Sequence, residues 1–487
     1  MTTLHNRPRA RATGKTLAAL ALLTAGGIAG SPSVRAADPY DKSLETRVEA
    51  LERELNIMEG DSKGKNVEST DVPTFARASD NVQQLTLSGE LRFRYENDSV
   101  SGQAIKATEQ ADRLRYRLRL FADYKLNDNF FAGVAVQTAA AADSGNTTFT
   151  EGFDNYALYL WRFFIGWQSQ DKNLKVVAGK MANPFYYETE LFWDADISPT
   201  GLSETWKLPI SSTFDITFIA GQFTFYDNPE NAFYNNPQFL ANGTKNPAYV
   251  PGATNNVDAY LFDQQIVATY KPTNDLSVTG AAGFLFYPGH GGAGSAVTVN
   301  PGVGPGGAGA VGAGGGTLGN SAAFNSPNAT RNLDIATGSG DVKINLGPVK
   351  VKLYGDIAYN FKGGSRDSQE YGLPLNDTTT DKIAFATGAT VGSDFSLKKK
   401  GDYIFLAEYR QVGLGSIDPN LNDSDFNLSR LGFRGIKIAG SYAFYPWLFG
   451  TVTFFGSENL GVDKNVNIGI GNFNASQVLQ VDLTAKF

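Results

Sequence analysis

The sequence predicts an all-β fold, a transmembrane antiparallel β-barrel of about sixteen strands, and three observations carry that expectation. The first is the stretch Asp112–Tyr124, DRLRYRLRLFADY, where Arg113, Arg115, Arg117 and Arg119 alternate with Leu114, Tyr116, Leu118 and Leu120. Successive side chains of a strand point to opposite faces, so this segment has one apolar and one strongly basic face; a helix would spread the arginines around its circumference. The second is a succession of short turns and long connections, the asymmetry of barrels with tight turns at one rim and loops at the other. The third is the pair of chain ends, a secretory signal at the start and an alternating strand closing on Phe487.

Composition fits this class and excludes others. Twelve per cent of the 487 residues are aromatic, which suits girdles at two membrane interfaces. A mean hydropathy of -0.23 is too low for a chain of spanning helices. There is no cysteine, so disulfides, thiolate chemistry and a lipid-modified N-terminal cysteine are excluded. The histidines are His5, in the signal, and His290, in a glycine-rich loop. A histidine-based triad or metal site would rest on His290 alone, without rigid neighbours, so no catalytic residue, metal or cofactor is expected. Removing the five basic residues Arg7, Arg9, Arg11, Lys15 and Arg35 takes the formal net charge from -7 to -12, which disfavours nucleic acid.

In chain order, residues 1–36 read as a signal peptide: a basic start, the apolar run Leu17–Ile28, and Val34-Arg35-Ala36 as cleavage site. Within 37–59, Leu44, Val48, Leu51, Leu55 and Met58 form an a/d seam, the pattern of a short coiled-coil helix that needs partner chains. Residues 60–84 read as a linker, and 85–487 as the barrel. Its first strand has Leu85, Leu87, Leu91, Phe93 and Tyr95 opposite Glu90, Arg92, Arg94 and Glu96. Short turns fall at Leu126–Asn129, Gln168–Asn173, Leu208–Thr213, Pro272–Asp275, Gly347-Pro348, Ser393–Gly401 and Tyr445-Pro446-Trp447. Long connections fall near 97–111, 139–154, 182–201, 227–257, 288–330, 363–380, 415–428 and 459–474. The short segment Leu202–Leu208 completes an even strand count. Val351, Leu353, Ile357 and Phe361 oppose Lys350, Lys352, Asp356 and Asn360. A change of phase near Gly435, where Leu431 and Phe433 give way to Ile436 and Ile438, predicts a bulge. The segment 288–330 is low in complexity and predicts a Gly-rich external loop. At the end, Leu479, Val481, Leu483, Ala485 and Phe487 oppose Gln480, Asp482, Thr484 and Lys486. A terminal aromatic there resembles the signal read by the outer-membrane insertion machinery.

The alternating-arginine strand, Gly179-Lys180-Met181 with Asn183-Pro184-Phe185, Leu191-Phe192-Trp193-Asp194 and Pro199-Thr200-Gly201-Leu202 together resemble the putative-porin family of Gram-negative outer-membrane channels, most strongly over residues 85–226. The resemblance implies a passive diffusion channel in the bacterial outer membrane, a homotrimer surrounded by outer-membrane lipid, passing ions and small hydrophilic solutes. It also implies a third loop, about 182–201, folded into the lumen. Lys180, Glu188, Glu190, Asp194 and Asp196 would then lie at the constriction, facing a wall of Arg92, Arg94, Arg113, Arg115, Arg117 and Arg119. Opposed charges would set a transverse field across a wet pore; alternatively the arginines pair with lumen carboxylates such as Glu90 and Glu96 and fill the wall. Four arginines facing lipid would cost about 2–4 kcal/mol each at the midplane, so that face points inward. Two other classes remain: a structural barrel tethered through its coiled coil, and a barrel hydrolase, whose chemistry would fall to Asp194 and Asp196. The 48 residues from Ala37 to Gln84 are too few for the plug of an energised transporter.

Overall fold

The computed structural model describes residues 85–102, 105–140, 144–149, 155–226, 259–287, 332–371, 382–418, 421–427, 431–460 and 475–487. The expected signal, coiled-coil helix, linker and glycine-rich loop lie outside these residues.

The wall begins with β1 (Leu85–Gly102), β2 (Ile105–Lys125) and β3 (Phe130–Gln137), followed by a two-residue strand β4 (Thr147–Thr148). Next come β5 (Tyr159–Gln168), β6 (Leu174–Lys180), β7 (Thr200–Pro209), β8 (Phe214–Tyr226), β9 (Ala259–Thr273), β10 (Leu276–Phe286), β11 (Asp334–Asn345) and β12 (Lys350–Asn360). A helix α1 (Gly363–Tyr371) precedes β13 (Ile383–Gly392), β14 (Tyr403–Val412), β15 (Phe433–Tyr445), β16 (Leu448–Asn459) and β17 (Ala475–Lys486). Setting β4 aside leaves sixteen strands, each antiparallel to its neighbours, and β1 pairs with both β2 and β17. The sheet is therefore a closed sixteen-stranded barrel with no free edge, which is what a strand-built membrane crossing requires. An even count returns both ends to one rim: the Gly89 amide donates to the Phe487 carbonyl at 2.7 Å, and the Phe487 amide to the Gly89 carbonyl at 3.1 Å. Among the described residues no helix is long and apolar enough to cross a membrane, which says nothing of strands.

The alternation in sequence becomes an outer and an inner face. Leu114, Leu353, Ile357 and Phe361 are exposed on the outside, while Arg115, Arg117, Arg119, Asp356 and Asn360 are buried within. Tight turns follow their turn residues: Asn127 Oδ1 accepts the amides of Asn129 and Phe130, each at 2.8 Å, closing the β2–β3 hairpin. Leu202–Leu208 lies within the strand β7.

Two expectations are corrected. No long loop occupies 97–111, because the first hairpin continues its ladder to Gly102 opposite Ile105, with a register shift at Val100. No bulge forms at Gly435 either, since β14 and β15 stay in register from Val412–Phe433 through Tyr409–Ile436. The pattern had the wrong premise: Phe433 faces inward, fully buried, and Ile436 and Ile438 face outward, so the strand keeps one phase and its inner face is apolar at that level. The main core accordingly lies inside the barrel. Val177, Ile219, Phe223, Leu261, Leu285 and Ile335 of the wall join Phe185, Leu191, Phe192, Trp193 and Ile197 of the third loop in one cluster.

Candidate functional site

The third loop, 181–199, leaves the wall between β6 and β7 at a facing pair of glycines, Gly179 and Gly201. Gly179 has φ +120°, and a Cβ there would sit 2.4 Å from the Phe163 carbonyl oxygen. Only glycine permits both that backbone and that approach. The loop then runs along the inner wall, tied at each step. The Tyr187 hydroxyl donates to Asp263 of β9 at 2.6 Å, and the Glu188 and Thr189 amides donate to Asp356 of β12 at 3.2 and 2.7 Å. Glu188 pairs with Lys352 at 2.6 Å and Glu190 with Lys437 at 3.4 Å. Asp196 reaches the arginine face of β2, 2.6 Å from Arg119 and 3.3 Å from Arg117, and accepts the Gly145 amide at 2.9 Å.

A second loop, described at residues 413–418 and 421–427, also enters the barrel, where an external connection was expected. Leu414, Ile417, Leu421 and Phe426 are buried in the common core. It clasps the third loop through backbone bonds. The Asp194 amide donates to the Leu421 carbonyl at 2.6 Å, the Asp423 amide to the Glu190 carbonyl at 3.1 Å, and the Ser424 amide to Asp194 Oδ2 at 2.9 Å. The sequence carried a signal for this: four large apolar residues within 414–426 have no place in a solvated loop. Asp194, expected at the pore, is 5% exposed and spends its oxygens on backbone amides.

The arginine face is not bare. Arg94 makes a two-pronged pair with Asp482 at 2.7 and 2.9 Å and meets Asp425 of the second loop at 3.3 Å. Arg115 bonds Glu96 at 3.0 Å, Arg113 pairs with Glu96 and Asp98, Arg117 with Glu90 and Asp196, and Arg92 lies 3.8 Å from Asp482. Six arginines thus meet six carboxylates: Glu90, Glu96, Asp98, Asp196, Asp425 and Asp482. Asp196 touches the arginines directly instead of facing them across a gap, because the clasp and the wall contacts press the loop onto β2.

Sequence reading missed Trp161 and Arg162. A register shift between β3 and β5 sets Ala135 opposite Arg162 and Val136 opposite Leu160, which leaves Trp161 as the extra residue of a bulge. The Trp161 ring is buried between the Arg119 and Arg162 guanidiniums, 3.9 and 3.8 Å from its centroid, and its Nε1 donates to the Asp196 carbonyl at 3.1 Å. Arg162 Nε donates to Ser198 Oγ at 2.9 Å, and Lys180 Nζ to the Ser198 carbonyl at 3.0 Å.

The loop carboxyls divide by surroundings. Burial works against the charged form of Asp196, but Arg119, Arg117 and Arg92 outweigh it and hold the carboxyl below the usual range. Burial, with the charges of Glu190, Asp196 and Asp423, raises Asp194 well above it. Burial and Glu190 push Asp423 up to about 7 against the pull of Arg410 and Lys437. For a raised carboxyl the fold favours the proton, so its stabilising share is full below the unfolded value of about 4 and is lost as pH rises to about 7. Amide exchange across 413–418 and 421–427, corrected for its intrinsic pH dependence, is therefore expected to be slower at pH 5 than at pH 8. Asp423→Asn is expected to reduce that difference, Asp194 supplying the remainder; an equally steep profile in the variant would refute the assignment.

The model of the putative porin family matches residues 97–298 and 323–487. No match was found among curated proteins. Among solved structures the chain is similar to Salmonella typhi OmpF in complex with daunomycin, at 10% identity and TM-score 0.42, covering 83% of this chain and 97% of that one. It is also similar to Pseudomonas putida OprB in its high-pH structure, at 10% identity and TM-score 0.45, covering 83% and 95%. Likenesses this distant carry no functional argument.

Proposed function

The chain belongs to the putative-porin family, and from that membership we propose that it forms a water-filled channel in the bacterial outer membrane, passing ions and small hydrophilic solutes by passive diffusion. The observation that supports this reading is a closed barrel with two inward loops that are bonded to each other and, in the case of the third loop, to the wall. Fixed loops narrow a passage without closing it on each transit, as passive permeation requires. The constriction is built from Arg92, Arg113, Lys180, Glu188 and Glu190, with Asp425 of the second loop, while Arg94, Arg115, Arg117, Arg119 and Asp196 form a paired wall behind them. Pairing mutes the transverse field, so selectivity is weak. The working form is a homotrimer, with residues 1–36 removed.

Single-channel recording of the mature protein in planar bilayers under a salt gradient tests the proposal. The expected record shows conductance steps in groups of three, with a small reversal potential. Absence of conductance from a folded, heat-modifiable barrel would overturn it.

A further inference from the structure

We infer that Arg162 and Lys180 form a binding station for a small oxyanion at the foot of the third loop; its place in the permeation path rests on the channel reading above. The observation is an imbalance of charge. Each of the six neighbouring arginines has a carboxylate within 4 Å. Arg162 and Lys180 have no such ion pair among the described residues, although both converge on Ser198, one on its hydroxyl and one on its carbonyl. Asp123 and Asp196 lie beyond ion-pair distance of Arg162, and Asp196 is already committed to Arg117 and Arg119.

The local build explains why the cations gather there. The β5 bulge turns Trp161 and Arg162 to the same side, and the indole, fixed by its bond to the Asp196 carbonyl, supports the guanidinium plane. With Nε donated to Ser198, the terminal nitrogens of Arg162 remain to present a fork, and Lys180 adds a compact charge beside it. A fork and a point charge are the donor set that suits phosphate or carboxylate oxygens. Half-buried cations without a counter-charge are costly, and an arriving oxyanion relieves that cost. Arg162 lies on the inner face, opposite Ala135, so the ligand is a free ion from the lumen and not a lipid headgroup.

Inorganic phosphate is the probe, applied to the folded full barrel in two measurements. In planar bilayers with chloride as the carrier, phosphate is expected to reduce the current, and the Arg162→Gln/Lys180→Gln double variant to need at least tenfold more for the same reduction. Arg434→Gln, which removes an exposed cation paired with Glu458, is expected to match the unaltered protein. In detergent, phosphate is expected to change tryptophan emission, and Trp161→Phe or the double variant to abolish that change. A conducting channel with no phosphate effect on current or emission, or with the same effect in the double variant, would overturn the station and leave the channel standing. An emission change lost in the double variant of a non-conducting barrel would support the station and sink the channel.

Discussion

Replacing Asp196 with asparagine is expected to shift the reversal potential toward anions, by a several-fold change in permeability ratio, and to raise single-channel conductance. Asp196 is the carboxylate that the third loop brings to Arg117 and Arg119, 3.3 and 2.6 Å away. Its removal leaves six arginines against five carboxylates in a site shielded from water, where an uncompensated charge acts at reduced screening. It also removes the third loop's side-chain anchor on β2, while the Trp161 bond to the residue 196 carbonyl remains. The loop then keeps its ties to Trp161, Arg162 and Lys180 but loses the one to β2, so the passage beside β2 widens. Asp196→Glu, which restores the charge with a longer reach, is expected to recover most of the selectivity. An unchanged reversal potential in the asparagine variant would show that the wall arginines lie outside the ion path.

The second large effect is on stability. Arg94→Ala is expected to destabilise the barrel by about 3–5 kcal/mol, the cost of stranding one member of a buried ion pair. Arg94 and Asp482 stand opposite each other across the β1–β17 seam, with side chains 5% and 8% exposed. The same guanidinium reaches Asp425, so its loss frees the second loop as well as the seam. Arg434→Ala provides the contrast. Arg434 and Glu458 also face each other across neighbouring strands, but their side chains are 53% and 58% exposed, and such pairs contribute about 0–1 kcal/mol. The temperature at which the compact band gives way to the extended one on unheated gels reads both. Equal shifts for the two variants would mean that the seam does not depend on its buried pair.

How far the sequence could be read depended on the range of the interaction concerned. Strand direction, face and turn position are local: DRLRYRLRLFADY can satisfy its own alternation only as a strand, and Asn127 closes its own turn. The closed sixteen-strand wall, including β7, was legible for that reason, whereas the pairing of Glu90 and Glu96 with the arginines stood only as the alternative to an open transverse field. The inner apolar face at Phe433 misled the reading because the rule that apolar residues face lipid fails wherever a loop supplies a second apolar partner. Trp161 and Arg162 were illegible because a bulge is a relation between two strands.

The sequence by itself determined the wall: its class, its strand count and the face on which the arginines lie, since period two and the cost of charge in lipid are properties of each segment. Only the tertiary structure decided what fills it. That the second loop clasps the third, that Asp196 rests on Arg117 and Arg119, and that Arg162 and Lys180 have no carboxylate in ion-pair reach among the described residues all depend on which residues meet across hundreds of positions. Those meetings are set by packing inside a closed barrel, where a charge pairs with whatever the fold brings near it, and spacing along the chain does not encode which residue that is.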